Sequence, residues 1–191
     1  MEKLYRAVEN VLSILIVGIV LASCAQDLTY QEAMNRNRRN IEDDEKLDDA
    51  RFLVDARNLN ILEVELCELA STNGYASTIV DLAKKNLNDH LKMEEELSDL
   101  AYREKISIPS VMDVNDVDVY NKVYRSDRQD FDRNFIAEIK EINNKNMRKF
   151  LVMATDAKDA DVRAYAARKL DMLRIHADRI NEVERELLNT Y

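Results

Sequence analysis

The residues best suited to chemistry are four polar side chains at positions where the surrounding pattern predicts apolar ones. Both histidines of the chain lie on runs in which apolar residues recur every three or four positions, which predicts that they face the inside of a helical bundle. An unpaired buried carboxylate or imidazole is unfavourable and requires a partner. Carboxylates and imidazoles that project from separate helices into a bundle core can bind iron or another divalent metal. The candidate metal ligands are Glu63, His90, Glu94 and His176.

Two further residues could support such a site. Asp89 directly precedes His90 and could accept the hydrogen bond that a metal-bound histidine usually donates; alternatively, it is an exposed helix charge. Asn143 lies near the inner face of a later helix. At a rise of about 1.5 Å per residue, Glu63 and His90 are expected to lie roughly two helical turns apart in depth. The alternative of a buried hydrogen-bonded network without a metal therefore stays open.

The sequence gives no support for hydrolytic catalysis or for nucleic-acid binding. It lacks a nucleophile elbow, a phosphate-binding loop, cysteine pairs with metal-ligand spacing and a zinc-protease helix. The net charge of -9 argues against nucleic acid as a partner, because phosphate binding needs clustered basic residues. We predict no catalytic residue. Cys67, between Leu66 and Leu69, is expected to be a buried structural thiol.

The amino terminus has the order of a secretory signal. Lys3 and Arg6 precede an apolar stretch at 11–21, which ends in the sequence LASC. The stretch is about half as long as the roughly 20 residues that a spanning helix needs. LASC resembles the lipobox of bacterial lipoproteins, in which the cysteine is acylated. We predict a signal peptide at 1–23 and a lipid anchor on Cys24 that holds the protein on a membrane of the bacterial cell envelope, at the outer membrane or its periplasmic face; an uncleaved signal anchor is the alternative.

Residues 24–45 lack apolar periodicity and are predicted to be the lipidated cysteine followed by a flexible tether. A flexible linker of about 20 residues spans on the order of 25 Å. Arg36, Arg38 and Arg39 could lie against anionic headgroups, at roughly 1 kcal/mol each, or could simply be solvated. We therefore expect the folded domain to stand away from the bilayer.

Residues 46–191 are predicted to form one all-α domain, an antiparallel four-helix bundle with a longer central crossover. Two glycines, one proline and 34% charged residues are typical of long helices. Gly74 is expected to end the first long helix in a left-handed cap, the crossover contains Pro109, and Asp159 is expected to cap the last helix. No internal repeat is apparent in the sequence.

Several segments of this domain carry a family resemblance. They are RFLVDARNLNILEVELCELA at 51–70, the Asp89-His90 pair, the Pro109 loop, FDR at 131–133 and LDMLRIHADRI at 170–180. In this order and spacing they resemble a bacterial envelope family of unknown function, domain of unknown function 4142, whose members are often labelled putative outer membrane proteins. The resemblance covers residues 48–188 and implies a ferritin-like four-helix bundle. It places the family's recurrent acidic and histidine positions at Glu63, Asp89, His90 and His176.

Two positions depart from the family's pattern. Asn143 stands where the family usually has a further histidine, and Asp171 stands where it usually has a proline. Asparagine is a poorer transition-metal ligand than imidazole. An inherited metal site would therefore be weaker in this chain.

Two functions follow as expectations. The first is a membrane-anchored envelope lipoprotein with a structural, interaction or stress-related role and without catalysis, whose protein partner the sequence does not identify. The alternative is a ferritin-like metal-binding protein or oxidoreductase, with iron or another divalent metal in the bundle core. Fold analogy alone does not decide between them, since one fold carries many functions.

Overall fold

The computed structural model describes residues 27–128 and 130–190, and within them the chain is all-helical, with no strand. This confirms the predicted all-α class. The predicted signal peptide at 1–23 and the predicted lipidation site Cys24 lie outside the described residues. Among the described helices, none combines the length and the apolar character that a membrane span needs. The helices are α1 (Tyr30–Asn40), α2 (Asp44–Asn73), α3 (Ser77–Glu104), α4 (Val114–Tyr124), α5 (Phe131–Asp156) and α6 (Ala160–Thr190).

The four long helices form a bundle in which each contacts two neighbours. Helix α2 packs against α3 and α5, and α6 packs against the same two helices. Neighbours run antiparallel, since Asn60 lies opposite His90 whereas Arg57, earlier on α2, lies opposite Glu94, later on α3. The other neighbouring pairs show the same reversal. Helices α3 and α5 therefore run in the same direction, and the long connection that contains α4 returns the chain along the bundle.

The bundle interior consists of two apolar clusters with polar residues between them. The first cluster includes Phe52, Leu97 and Phe150, and the second includes Leu66 and Phe135. Fully burying one such side chain contributes about 1.5–3 kcal/mol. We use the term polar layer for the seven residues where the two clusters meet, each of which is at most 1% exposed: Asn60, Glu63, Asn86, His90, Asn143, Asn146 and His176.

The expected flexible tether is wrong for residues 30–40, which form α1 and dock on the bundle. A capping box between Thr29 and Glu32 starts the helix. Ala33 and Met34 are buried against Val54 of α2. A short helix with so few apolar residues shows no clear periodicity, which is why the sequence pattern did not reveal it. Helix α2 also begins at Asp44, two residues before the predicted domain start at residue 46.

The turn between α2 and α3 needs its glycine for space rather than for a left-handed conformation. Gly74 has φ -56° and ψ 135°, so the expected left-handed cap is wrong. A Cβ atom at this position would lie 2.7 Å from the carbonyl oxygen of Ala70 and 2.9 Å from Cγ2 of Ile79. At the other turn, Asp159 accepts hydrogen bonds from the backbone of Asp161 and Val162, which confirms the predicted cap of α6.

The hairpins α2–α3 and α5–α6 hold each other through reciprocal contacts. Asp49 of α2 accepts backbone hydrogen bonds from the turn between α5 and α6, at Lys158 and Asp159. Asp132 of α5 accepts the equivalent pair from the turn between α2 and α3. A separation of 83 residues relates Asp49 to Asp132.

The same separation also relates Asn60 to Asn143, and each of these donates to a carbonyl 30 residues further along the chain. The two hairpins therefore make equivalent contacts at positions 83 residues apart, although no internal repeat is apparent in the sequence.

Candidate functional site

The polar layer is built by all four long helices. Helices α2, α3 and α5 contribute two residues each, and α6 contributes His176. Polar groups that are this deeply buried normally have hydrogen-bond partners. Six of the seven layer residues instead retain at least one buried side-chain atom without a partner. This concentration of unpaired atoms marks the layer as the candidate site.

Glu63 is bonded at only one of its two carboxyl oxygens. Asn146 donates to its Oε2 from Nδ2 at 2.8 Å. Its Oε1 lies 3.7 Å from Nε2 of His90, which is longer than a hydrogen bond. Burial raises the pKa of Glu63 to about 8, against the lowering effect of the bond from Asn146. Without a nearby positive charge, Glu63 is therefore mainly protonated at neutral pH.

His90 is a neutral imidazole with a fixed tautomer. Its Nδ1 lies 2.9 Å from Oδ1 of Asn60, while Nδ2 of Asn60 donates to the His90 carbonyl at 3.3 Å. An amide oxygen only accepts, so the ring proton is on Nδ1 and the lone pair is on Nε2. Burial, together with the smaller effect of the nearby His176, lowers the pKa of His90 to about 3.

His176 has the opposite tautomer. Its Nε2 lies 3.1 Å from a carboxylate oxygen of Asp89, which Arg179 also binds at 2.9 Å. The carboxylate accepts, so the proton is on Nε2 and the lone pair is on Nδ1. Burial lowers the pKa of His176. Although burial raises the pKa of Asp89, the hydrogen bonds from Arg179 and His176 bring it below its usual range.

The family comparison covers this whole layer. The family described as Domain of unknown function (DUF4142) matches residues 36–183. The chain belongs to the DUF4142 family. No match was found among curated proteins or among solved structures. Because the matched residues include α2 to α5 and most of α6, the polar layer is part of the DUF4142 domain itself.

The DUF4142 domain brings together three of the four candidate metal ligands. Glu63, His90 and His176 share the layer, and the rings of the two histidines have centroids 5.0 Å apart. Glu94 does not share it, because its carboxylate pairs with Arg57 at 2.8 Å and its side chain is 34% exposed. The prediction that Glu94 belongs to a buried site is therefore wrong.

The expected difference in depth between Glu63 and His90 is also wrong. Counted from the helix ends at Asn73 and Ser77, the two residues differ by only three positions, or about 4.5 Å. Side chains lean toward the amino terminus of their own helix. In antiparallel helices this moves Glu63 away from the turn and His90 toward it, so the side chains meet.

The two supporting residues occupy different positions from those expected. Asp89 accepts a hydrogen bond from His176 on α6 rather than from its neighbour His90. Asn143 donates to the carbonyl of Leu173 at 3.0 Å, and its Oδ1 has no partner.

Sequence reasoning missed two members of the layer. Asn60 orients His90, and Asn86 is fully buried with neither amide atom partnered. Spacing could have identified both, because Asn60 is three residues before Glu63 and Asn86 is four before His90, each on the same helix face.

The layer does not assemble a complete ligand set by itself. Within residues 27–128 and 130–190, no three or more His, Cys, Asp and Glu side chains are grouped closely enough to hold a metal ion. The Glu63–His90 pair, with His176 beside it, is therefore two ligands with a third nearby. Chemically, the layer is uncharged near neutral pH and rich in lone pairs.

Proposed function

We propose that this DUF4142 protein is a lipid-anchored protein of the bacterial cell envelope whose helical bundle has a structural, interaction or stress-related role without catalysis. One observation carries the proposal. The sequence LASC at 21–24 follows a basic and then an apolar segment in the order of a lipoprotein signal. An acyl chain contributes about 0.8 kcal/mol per buried methylene, and two or more chains anchor a protein stably.

In the proposed anchored state, the docking of α1 would hold the bundle nearer to the membrane than a flexible tether would. The backbone of Leu28 exchanges hydrogen bonds with Ser110, so the fold is already fixed four residues after Cys24. Four extended residues span at most about 14 Å. In the proposed anchored state, the end of the bundle around Ser110 would lie close to the headgroups.

We further propose that the bundle is of the ferritin-like type. Its support is the connectivity, two antiparallel hairpins joined by one long crossover, which is the arrangement of ferritin-like bundles. A non-catalytic role fits the closed polar layer, because Glu63 and His90 are at most 1% exposed and offer a substrate no access. The alternative of an oxidoreductase would need a redox-active metal in the polar layer and a path by which a substrate could reach it.

Replacement of Cys24 tests the anchor. We expect the wild-type protein to incorporate labelled fatty acid and to fractionate with membranes until detergent is added. The Cys24→Ser variant should lose the label, because serine has no thiol to acylate. Cys67→Ala is the matched control, since Cys67 is the buried free cysteine and should keep its label and location unchanged.

Persistent labelling of Cys24→Ser would contradict the proposal. A wild-type protein that is unlabelled and resists release from membranes would instead support the uncleaved signal anchor.

A further inference from the structure

Six of the seven unpartnered side-chain atoms in the polar layer carry lone pairs, and the seventh is the N–H group at Nδ2 of Asn86. The hydrogen bonds from Asn60 and Asp89 fix the two imidazole tautomers, so the unpartnered Nε2 of His90 and Nδ1 of His176 are both lone-pair nitrogens. Oε1 of Glu63 is also unpartnered, and it becomes a ligand oxygen when a bound cation displaces the proton of the carboxyl group. The Oδ1 atoms of Asn143 and Asn146 are in the same condition, since each amide donates from its Nδ2.

Such a set of unpartnered lone pairs favours a positively charged ligand. An apolar ligand would leave each of these atoms unsatisfied, which is unfavourable for a buried polar group. An anion would be repelled by the lone pairs. A cation can be coordinated by these lone pairs. A buried cation needs ligands of this kind because its desolvation is unfavourable.

The distance between Glu63 and His90 fits a metal ion. Bonds of about 2.0–2.2 Å from one metal ion to oxygen and imidazole nitrogen place two ligand atoms about 3–4 Å apart. Oε1 of Glu63 and Nε2 of His90 are 3.7 Å apart. The pair can therefore bind one ion without a change in either helix.

The ligand types narrow the choice of ion. Imidazole suits zinc, iron, copper and nickel, whereas magnesium and calcium prefer ligand sets made only of oxygen. Asn60 and Asp89 bind the far side of each ring, as the partners of metal-bound histidines do, and so act as positioning residues.

We propose that the polar layer binds one divalent first-row transition-metal ion between Oε1 of Glu63 and Nε2 of His90, with Nδ1 of His176 as the third ligand. Three such ligands are not grouped among the described residues. Binding therefore draws the His176 ring toward the ion while Asp89 keeps its hydrogen bond. This site is independent of the lipid anchor and requires no catalysis.

Cobalt titration of the purified full-length protein in mild detergent, after removal of metals with a chelator, tests the site. Co²⁺ bound by nitrogen and oxygen ligands absorbs visible light, and the band intensity reports the coordination number. We expect one Co²⁺ per chain, displacement by Zn²⁺, and no competition from Mg²⁺. Elemental analysis after dialysis gives the stoichiometry independently.

Matched variants connect the binding to the layer. Glu63→Gln and His90→Gln should each weaken binding at least tenfold. His176→Gln should keep weaker binding with an altered Co²⁺ spectrum, because one nitrogen ligand is lost. Glu65→Gln, an exposed change on the same helix, should bind like the wild type.

The proposal is overturned if the wild type binds no stoichiometric ion, or if Glu63→Gln binds as the wild type does. Glu63→Gln is nearly isosteric and keeps an acceptor for Asn146, so this arm remains decisive even if His90→Gln fails to fold. Far-ultraviolet circular dichroism confirms the helical content of each variant. Loss of membrane anchoring in Cys24→Ser would leave these results unchanged.

Discussion

At the scale of single residues, the DUF4142 domain keeps an acid and a base as a neutral buried pair. Burial raises the pKa of Glu63 to about 8 and lowers that of His90 to about 3. The two pKa shifts have the same cause, because the low-dielectric layer disfavours the charged form of each group. The residue types and their helix faces were predictable from the sequence. Their common depth was not, because it depends on the lean of side chains on antiparallel helices and on the three-residue turn.

The raised pKa of Glu63 predicts that the stability of the protein depends on pH. Comparison of the wild type with Glu63→Gln isolates this contribution. In metal-free protein, the native state binds the Glu63 proton more tightly than the unfolded chain, whose ordinary pKa is 4.5. The stability that this group contributes is fully present below pH 4.5 and is lost as the pH rises through about 8. Relative to the wild type, Glu63→Gln should gain stability over this window, on the order of a few kcal/mol.

Urea unfolding from pH 4.5 to pH 9 with a chelator present measures this difference. Glu65→Gln, which is exposed, should follow the wild-type profile. A constant difference between Glu63→Gln and the wild type across the range would show that Glu63 does not titrate abnormally.

At the scale of helices, two reciprocal aspartates fasten the hairpins together. Asp49 and Asp132 each accept two backbone hydrogen bonds from the opposite turn, and both are at most 4% exposed. The four long helices were predictable because their apolar residues recur over many turns. The equivalent contacts of the two hairpins were not, because they depend on which backbone groups of the opposite turn each aspartate reaches.

Removing either aspartate should destabilise the bundle by a similar amount. We expect Asp49→Ala and Asp132→Ala each to lower the free energy of unfolding by about 1–3 kcal/mol, since two partly buried backbone N–H groups lose their acceptor. The sites are at opposite ends of the bundle, so the double variant should be nearly additive. Asp48→Ala, an exposed neighbour, should change stability little. Equilibrium urea unfolding makes the comparison, and an Asp132→Ala variant as stable as Asp48→Ala would contradict the reciprocal fastening.

Helix α1 provides a second test at this scale. Asn37 is 2% exposed, and its side chain both donates to and accepts from the backbone of Ser107. We expect Asn37→Ala to release α1 from the bundle, so that hydrogen exchange of the α1 amides becomes at least tenfold faster while α2 keeps its protection.

Asn40→Ala, at an exposed position of the same helix, is the control and should leave exchange unchanged. Fast exchange of α1 in the wild type would support the flexible tether instead of a docked helix.

At the scale of the whole molecule, a closed, acidic bundle follows directly after a segment with the features of a lipoprotein signal. Docking of α1 leaves little free chain between Cys24 and Leu28. Exposed Arg36, Arg38 and Arg39 on α1 would then lie where anionic headgroups can attract them, at roughly 1 kcal/mol each. In the proposed anchored state, the remainder of the bundle would face away from the membrane.

The amino-terminal mass of the protein isolated from bacterial membranes tests the lipid anchor most directly. We predict that the chain begins at Cys24. Its first peptide should carry the added mass of a diacylglyceryl group on the thiol, and its amino group should be either free or acylated. The same peptide without lipid, or a chain that still begins at Met1, would contradict it.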